Sequence, residues 1–127
     1  MRSLYHPSEE EFRLENVLHA LSDPVRLSIV RCLAGSGAQS CGSFDLPVAK
    51  STASHHFRIL REAGIIRMQS MGAQYLNSLR RSEIDSRFPG LLGAILKAAD
   101  SGHGEGASIG PAEGGVFGDP GESQAGG

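Results

Sequence analysis

The sequence predicts a mainly α fold with a small β-hairpin, formed by one domain over residues 1–100. Apolar residues recur at helical spacing along most of this region, and the period changes after Gly64. From residue 101 to 127 the composition differs, because 10 of these 27 residues are glycine and few are large and apolar. Such a segment buries too little surface to offset the entropy of ordering, so we expect 101–127 to be a Gly-rich, acidic, disordered tail.

The distribution of charge is more informative than the net charge of −2. The tail has four acidic residues and no Lys or Arg, whereas residues 50–81 have six basic residues and one acidic residue, a local charge of +5. A positive field concentrated in one part of a domain is typical of proteins that bind nucleic acid.

The same totals argue against other classes of protein. No apolar run is long enough to span a bilayer, and the first residues lack the apolar core of a signal peptide. Two cysteines are too few for a secreted disulfide framework. We therefore expect a cytoplasmic protein with no membrane partner.

The first half of the domain reads as two helices. Residues 9–21 have a wide apolar face after three glutamates, which favour the positive end of a helix dipole. Asp23 is an N-cap followed by proline, and the helix that it starts is expected to run to about Ala34. Arg26 and Arg31 interrupt the apolar pattern of that helix and should point outward or pair with a carboxylate.

A short element and a sharp turn then precede a longer helix, which is helix-turn-helix order. Residues 40–49 allow one helical turn at most, because glycine and proline limit its length. From Lys50 to Gly64 the pattern is helical, with small hydroxyl residues near the start to cap it and Gly64 to end it. One face is apolar, and the other carries hydrogen-bond donors and cations that suit the DNA major groove. The residues expected on that exposed side are Lys50, Ser51, Ser54, His55, Arg58 and Arg61.

After this helix, Ile65–Met68 and Gln74–Leu79 read as two strands joined by a turn at Gly72. A hairpin in this position is the wing of a winged helix-turn-helix, and Arg67, Arg80 and Arg81 would bring charge near a DNA phosphate. Residues 82–99 should then be capped at Ser82 or Asp85 and form a helix from about Pro89. The apolar faces of the first and last helices exceed what a small core needs, which predicts a dimer interface. Its expected members are Phe12, Leu14, Leu18, Leu91, Leu92, Ile95 and Leu96.

The runs ALSDPVRLSIVRCLA at 20–34 and STASHHFRILREAGII at 51–66, with the hairpin that follows, resemble the ArsR/SmtB family of bacterial winged-helix repressors. The resemblance covers roughly residues 12–99. It implies a fold of four helices, two strands and a last helix, and a homodimer formed by the outer helices. It also implies that the dimer binds a double-stranded DNA operator and leaves it when an inducer binds. It also places base-reading positions at the start of the helix that begins at Lys50. Arg58, one turn later, is at a position suited to contact a phosphate. The base-reading positions are Lys50, Ser51, Thr52, Ser54 and His55.

Sensing is where the sequence departs from the family. The metal-responsive members have a Cys-x-Cys-Asp-Leu box, and here Gly42 and Phe44 replace both thiols. We therefore expect no metal site and no cofactor. Cys41 lies at an expected helix start, where the dipole favours thiolate, so oxidation of Cys41, resolved by Cys32 or by a second Cys41, is one hypothesis for induction. Cys32 alone is more often a small core residue, and arsenite binding by both thiols is the next candidate.

An enzyme and a protein-binding module are the two alternative functions. An enzyme is not expected, because the adjacent His55 and His56 point about 100° apart on a helix and no carboxylate lies within a turn to orient them. A winged helix that binds a protein and never touches DNA is the closer alternative. The operator sequence and the inducer do not follow from the residues.

Overall fold

The computed structural model describes residues 4–102, so the predicted tail lies outside the described residues apart from its first two positions. Five helices and a three-stranded sheet make up this region, with 3-10 turns at Glu9–Glu11 and Cys41–Ser43. In chain order they are α1 Leu14–Leu21, α2 Pro24–Ser36, β1 Gln39–Ser40, α3 Lys50–Glu62, β2 Ile66–Met71, β3 Gln74–Leu79, α4 Arg81–Arg87 and α5 Leu91–Gly102. The predicted fold class, mainly helical with a wing after a helix-turn-helix, is confirmed.

The predicted first helix is wrong in its extent. Its glutamates form a separate 3-10 turn, in which the Glu11 carboxylate accepts the Ser8 N–H at 2.8 Å. Phe12 then takes an extended conformation, and α1 begins only at Leu14. This break turns the Phe12 ring into the core, where it is 2% exposed. Burial of one aromatic ring therefore outweighs the continuity of the helix.

The start of α2 is as predicted. The Asp23 carboxylate accepts the N–H groups of Val25 and Arg26 at 2.9 and 3.1 Å. Arg31 pairs with Asp100 at 2.9 Å, also as expected. Arg26 does neither of the things predicted for it, because its side chain is buried and its Nε donates to the Ala20 carbonyl at 2.8 Å.

The helix-turn-helix contains a strand that the sequence did not indicate. β1 pairs antiparallel with β3, and the sheet order is β1-β3-β2. A two-residue strand has no detectable period, and it exists because β3 offers it a partner. The segment after it is anchored by the buried Phe44, whose ring packs edge-on against Phe57 with centroids 5.4 Å apart.

α3 ends as predicted but begins differently. Gly64 lies just beyond it at a φ of +92°, in the left-handed region where only glycine is free of strain. The N-cap is Ala49, and no side chain caps the helix, so the expected cap by Ser51, Thr52 or Ser54 is wrong. These hydroxyls lie within the first turns of the helix.

The wing is a regular hairpin, with Ile66 opposite Leu79 at its base and Met71 opposite Gln74 at its tip. Beyond it, the predicted last helix is two helices: α4 begins after Arg80 without a side-chain cap, and Gly90 at a φ of +81° separates it from α5. The expected caps at Ser82 and Asp85 are therefore wrong. None of the described helices has the length and apolar character needed to cross a membrane.

Candidate nucleic-acid interface

α3 separates its residues into a buried and an exposed side. The buried residues are His56, Phe57, Leu60 and Arg61. The expectation that Arg61 lies on the exposed side is therefore wrong, because its side chain packs against the rest of the domain. The six residues predicted to contact DNA from this helix are all exposed: Lys50, Ser51, Thr52, Ser54, His55 and Arg58. At 100° per residue, all but Thr52 fall within one side of the helix spanning about 140°. We call these six residues the α3 face.

The first turn of α3 adds backbone donors to this face. The initial N–H groups of a helix have no partner within the helix, and within residues 4–102 no side chain caps them here. Together with the positive end of the helix dipole, such groups attract phosphate. Lys50 occupies the first position of α3 and adds a positive charge to this end of the helix.

Pairing with acids offsets part of the local positive charge that the sequence suggested. Arg67 and Arg80 both contact Glu83, and Arg81 pairs with Asp85 at 3.2 Å. Arg61 lies 3.6 Å from Glu62. Within the described chain, the cations of 50–81 that have no acidic partner are the two on the α3 face, Lys50 and Arg58.

Arg58 is held by a neighbour on the same face. Its Nη2 lies 3.0 Å from Nδ1 of His55, one helical turn away. Because a guanidinium can only donate, His55 accepts at Nδ1 and, when neutral, has its proton on Nε2. The pair therefore presents N–H donors, which is the character that phosphate oxygens and the acceptor edge of guanine require.

Arg80 is not available to DNA, and its predicted role is wrong. Its side chain is 3% exposed. It donates to both carboxylate oxygens of Glu83 and to the Pro7 carbonyl, each at 2.8 Å, and its guanidinium stacks on the Phe12 ring. These contacts hold the pKa of Glu83 below its ordinary value, chiefly through the hydrogen bond from Arg80. Arg80 therefore joins the N-terminal segment to the wing.

Arg67 remains partly free to contact DNA, as predicted for it. Its side chain is 41% exposed, and its Nη2 lies 3.3 Å from Glu83. This is a surface ion pair of the kind that contributes little to stability, so Glu83 does not hold Arg67 strongly.

The buried side of α3 contains a polar contact that positions the helix. Nδ1 of His56 lies 3.1 Å from Nη1 of Arg26 and 3.9 Å from Asp23, so α3 is tied to the start of α2. Burial, more than the nearby positive charge of Arg26, lowers the pKa of His56. A neutral imidazole can accept from Arg26, so His56 serves to pack α3 against α2 and lies off the exposed side of the helix.

The role of the N-terminal segment was not predicted. His6 Nε2 accepts the backbone N–H of Met68 at 3.0 Å, on the edge of β2 that β3 leaves free. Burial, followed by the charge of Arg67, lowers the pKa of His6. A single histidine in a polar, irregular segment has no pattern from which this contact could be predicted.

The residues predicted for a dimer interface divide into three groups. Phe12 and Leu92 are 2% and 1% exposed within one chain, so they belong to its own core and that part of the prediction is wrong. Three others are partly buried and pack against this core: Leu91, Ile95 and Leu96. Leu14 and Leu18 on α1 are each 44% exposed, an unusual exposure for leucines one turn apart.

The two cysteines are free thiols in different surroundings. Cys32 is buried in the core, and Cys41 is partly buried, with its sulfur 3.1 Å from the Asn77 amide. Burial raises the pKa of both thiols, which disfavours thiolate. The expectation that a helix start would activate Cys41 is therefore wrong, because the element there is a three-residue 3-10 turn and burial dominates. Among residues 4–102, no three His, Cys, Asp or Glu side chains are grouped so as to hold a metal ion.

Comparison with known proteins extends this picture. Residues 21–69, which include α2, the turn, α3 and part of β2, match the family described as helix-turn-helix domain. An uncharacterized HTH-type transcriptional regulator of Bacillus subtilis, YceK, is 38% identical over 88 residues, which cover 67% of this chain and 87% of the relative. A second, MJ1325 of Methanocaldococcus jannaschii, is 35% identical over 66 residues, covering 50% of this chain and 74% of the relative.

Among solved structures, the crystal structure of an ArsR family transcriptional regulator superposes with a TM-score of 0.52 at 20% identity. The match covers 76% of this chain and 98% of that one. At this identity the match shows the fold alone, and it confirms the fold that the resemblance implied.

Proposed function

We propose that this chain, which belongs to the HTH-type transcriptional regulators and has the fold of the ArsR family, is a repressor that binds duplex DNA as a homodimer. The observation that supports this best is the α3 face. It combines six exposed hydrogen-bonding side chains, five of them on one side of the helix, with uncapped backbone donors and the two cations of 50–81 that have no acidic partner among residues 4–102.

Each part of the α3 face has a role in this proposal. The first turn of α3 enters the major groove, with backbone N–H groups and Lys50 directed to phosphate or guanine. Ser51, Thr52 and Ser54 contact base edges as adaptable donors and acceptors. Arg58, positioned by His55, contacts phosphate and fixes the register of the helix without reading sequence. Arg67 reaches the backbone from the wing.

The dimer sets the spacing of the two α3 helices. Half-sites bound by such dimers lie about 34–36 Å apart, one turn of DNA. We assign the contact between protomers to the exposed leucines of α1, Leu14 and Leu18, with the partly exposed stripe of α5 beside them. Burying these leucines in a partner would remove an apolar surface that a monomer leaves in water. The site of action is the cytoplasm, where bacterial DNA is found.

The salt dependence of DNA binding tests the proposal. Selection of bound genomic fragments supplies an operator, and affinity is then measured over a range of salt concentrations. The log–log slope should be steep, at about −0.9 per phosphate contacted. Arg58→Ala should reduce the slope by about 1 and weaken binding to all sequences, and Lys50→Ala should weaken binding as well.

Arg81→Ala is the matched control, because Arg81 is similarly exposed on the surface but is paired with Asp85 outside the α3 face. If Arg58→Ala and Lys50→Ala behave like Arg81→Ala, α3 is not the reading helix. If no DNA is bound even in dilute buffer, the winged helix binding a protein partner becomes the better description.

A second experiment tests the dimer. Leu14→Ser combined with Leu18→Ser should convert the dimer to a monomer in sedimentation velocity and abolish tight binding to a two-half-site operator. Leu4→Ser changes a partly exposed leucine elsewhere and should leave the dimer intact. A wild-type protein that sediments as a monomer would remove this part of the proposal.

Reaction at the thiols is one candidate route of induction. Release by oxidation of Cys41, with Cys32 as its partner, remains a candidate, as does arsenite binding, but the raised pKa of both thiols weighs against a fast reaction. Titration of the operator complex with peroxide and with arsenite decides between them. If Cys41→Ser responds as the wild type does, neither ligand acts through this thiol.

A further inference from the structure

An apolar cavity lies between α3, the segment after β1 and the wing, with a volume of about 660 Å³. Its walls include Cys41, Phe44, Val48, Phe57 and Met68. Ligand pockets in proteins occupy roughly 300–1,000 Å³ and are lined mainly by apolar groups with a few polar ones. This cavity has the size and the lining that a small organic molecule requires.

The charged groups of the cavity are all of one sign. Three basic side chains line it, Lys50, Arg58 and Arg61, and within the described chain its lining includes no Asp or Glu. Such a lining favours an anion and disfavours a cation. An apolar volume bordered by cations suits a molecule that has both an apolar body and a negative group.

Arg61 supplies a specific partner for that negative group. Its side chain is 10% exposed, and Nε is buried with no hydrogen-bond partner among the described residues. Its Nη2 lies 3.6 Å from Glu62, too far for a hydrogen bond. A buried donor without an acceptor costs free energy. If the guanidinium of Arg61 turns toward the cavity, a bound carboxylate can accept from Nε and a neighbouring N–H and remove that cost.

We propose that this cavity binds a small organic anion with an apolar body, such as a medium-chain carboxylate, and that the anion is the inducer. Its carboxylate pairs with Arg61, and its apolar body occupies the space between Val48, Phe57 and Met68. The inducer role rests on the proposed function, whereas the binding site does not.

Coupling to DNA follows from shared residues. Lys50, Ser54 and Arg58 belong both to the cavity wall and to the α3 face. An anion in the cavity lowers the positive potential that attracts phosphate, so DNA affinity falls. By linkage, DNA lowers the affinity for the anion by the same factor.

Calorimetry without DNA tests the site, with decanoate as the probe. Decan-1-ol is the matched molecule without the charge, and acetate is the matched anion without the apolar body. Decanoate should bind at one site per chain, and both controls should bind at least about tenfold more weakly, as expected for loss of a charge-assisted hydrogen bond or of the apolar contact. Equal binding of decanoate and decan-1-ol would overturn the assignment of Arg61.

Two variants probe opposite walls. Arg61→Met removes the charge with little change in apolar bulk and should weaken decanoate at least about tenfold while leaving decan-1-ol unchanged. Val48→Phe fills the cavity from the other side and should weaken both molecules. Val48→Phe also keeps the test decisive if Arg61→Met fails to fold, since unchanged binding in a folded Val48→Phe protein places decanoate elsewhere.

The DNA measurement separates the two proposals. Decanoate should weaken operator binding of the wild type, and acetate at the same concentration should not. Decanoate that binds but leaves operator affinity unchanged overturns the inducer role, and absence of decanoate binding by a protein that binds DNA overturns the site alone. Decanoate binding by a protein that ignores DNA overturns the repressor function and leaves the site in place.

Discussion

Among the glycines of residues 4–102, replacement of Gly64 by alanine should destabilise the domain most. Gly64 follows α3 at a φ of +92°, and a Cβ placed there would lie 2.3 Å from Cε1 of Phe12. Real Cβ atoms do not approach a ring so closely, so either the ring or the turn must move. The ring has little room, because Phe12 is 2% exposed and lies beneath the guanidinium of Arg80, 4.9 Å from its centroid.

Two terms set the magnitude. A left-handed conformation costs a residue with a Cβ about 1–2 kcal/mol. Forcing extra volume into a packed core costs about 1–3 kcal/mol more. Alanine also stabilises by about 0.4–1 kcal/mol because it restricts the unfolded chain, so the net loss for Gly64→Ala is about 1–5 kcal/mol, centred near 3 kcal/mol. This is a large fraction of the roughly 5–15 kcal/mol by which a domain is stable.

Urea unfolding of Gly64→Ala and Gly72→Ala measures the difference directly. Gly72 has a φ of +67°, but a Cβ there meets nothing within 4 Å, so it isolates the conformational cost, at about 1 kcal/mol. In addition, Gly64→Ala should cost less in a Phe12→Ala background, since the ring that it meets is gone. If Gly64→Ala and Gly72→Ala lose equal stability, the contact with Phe12 does not matter and the reasoning is refuted.

Two further predictions concern the buried polar groups. Because the fold lowers the pKa of His6 and His56, the unfolded chain binds protons more readily than the folded one. Stability should therefore be full above about pH 6.5 and fall as the pH drops toward the lowered pKa values. Thermal melts across this range should show a smaller decline in His56→Gln, and an equal decline would exclude His56 as a cause. Arg80→Met should lower the free energy of unfolding by about 2–4 kcal/mol, measured in urea, because it leaves Glu83 without its main partner. Arg67→Met should lower it by less than about 1 kcal/mol. Similar losses in the two variants would show that burial of Arg80 contributes little.

The elements that the sequence predicted best are those with local causes. Asp23 starts α2 because its carboxylate meets N–H groups two and three residues along, and Gly64 ends α3 because only glycine is unstrained there. Helical period predicted the burial of Phe57 and the exposure of most of the α3 face, but it also placed Arg61 on the exposed side, where the structure buries it. Signals of this kind depend on a few neighbouring residues and need no knowledge of the rest of the chain.

The tertiary structure decided what each charged group is free to do. Arg80 and Arg58 are alike in the sequence, yet one is buried between Glu83 and Phe12 and the other is exposed without an acidic partner. Arg61 lies on the same helix as Arg58 but lines a cavity with a nitrogen unpaired. Composition and period alone do not give these differences, because they depend on contacts between residues far apart in the chain, which form only when the helices and the wing pack together.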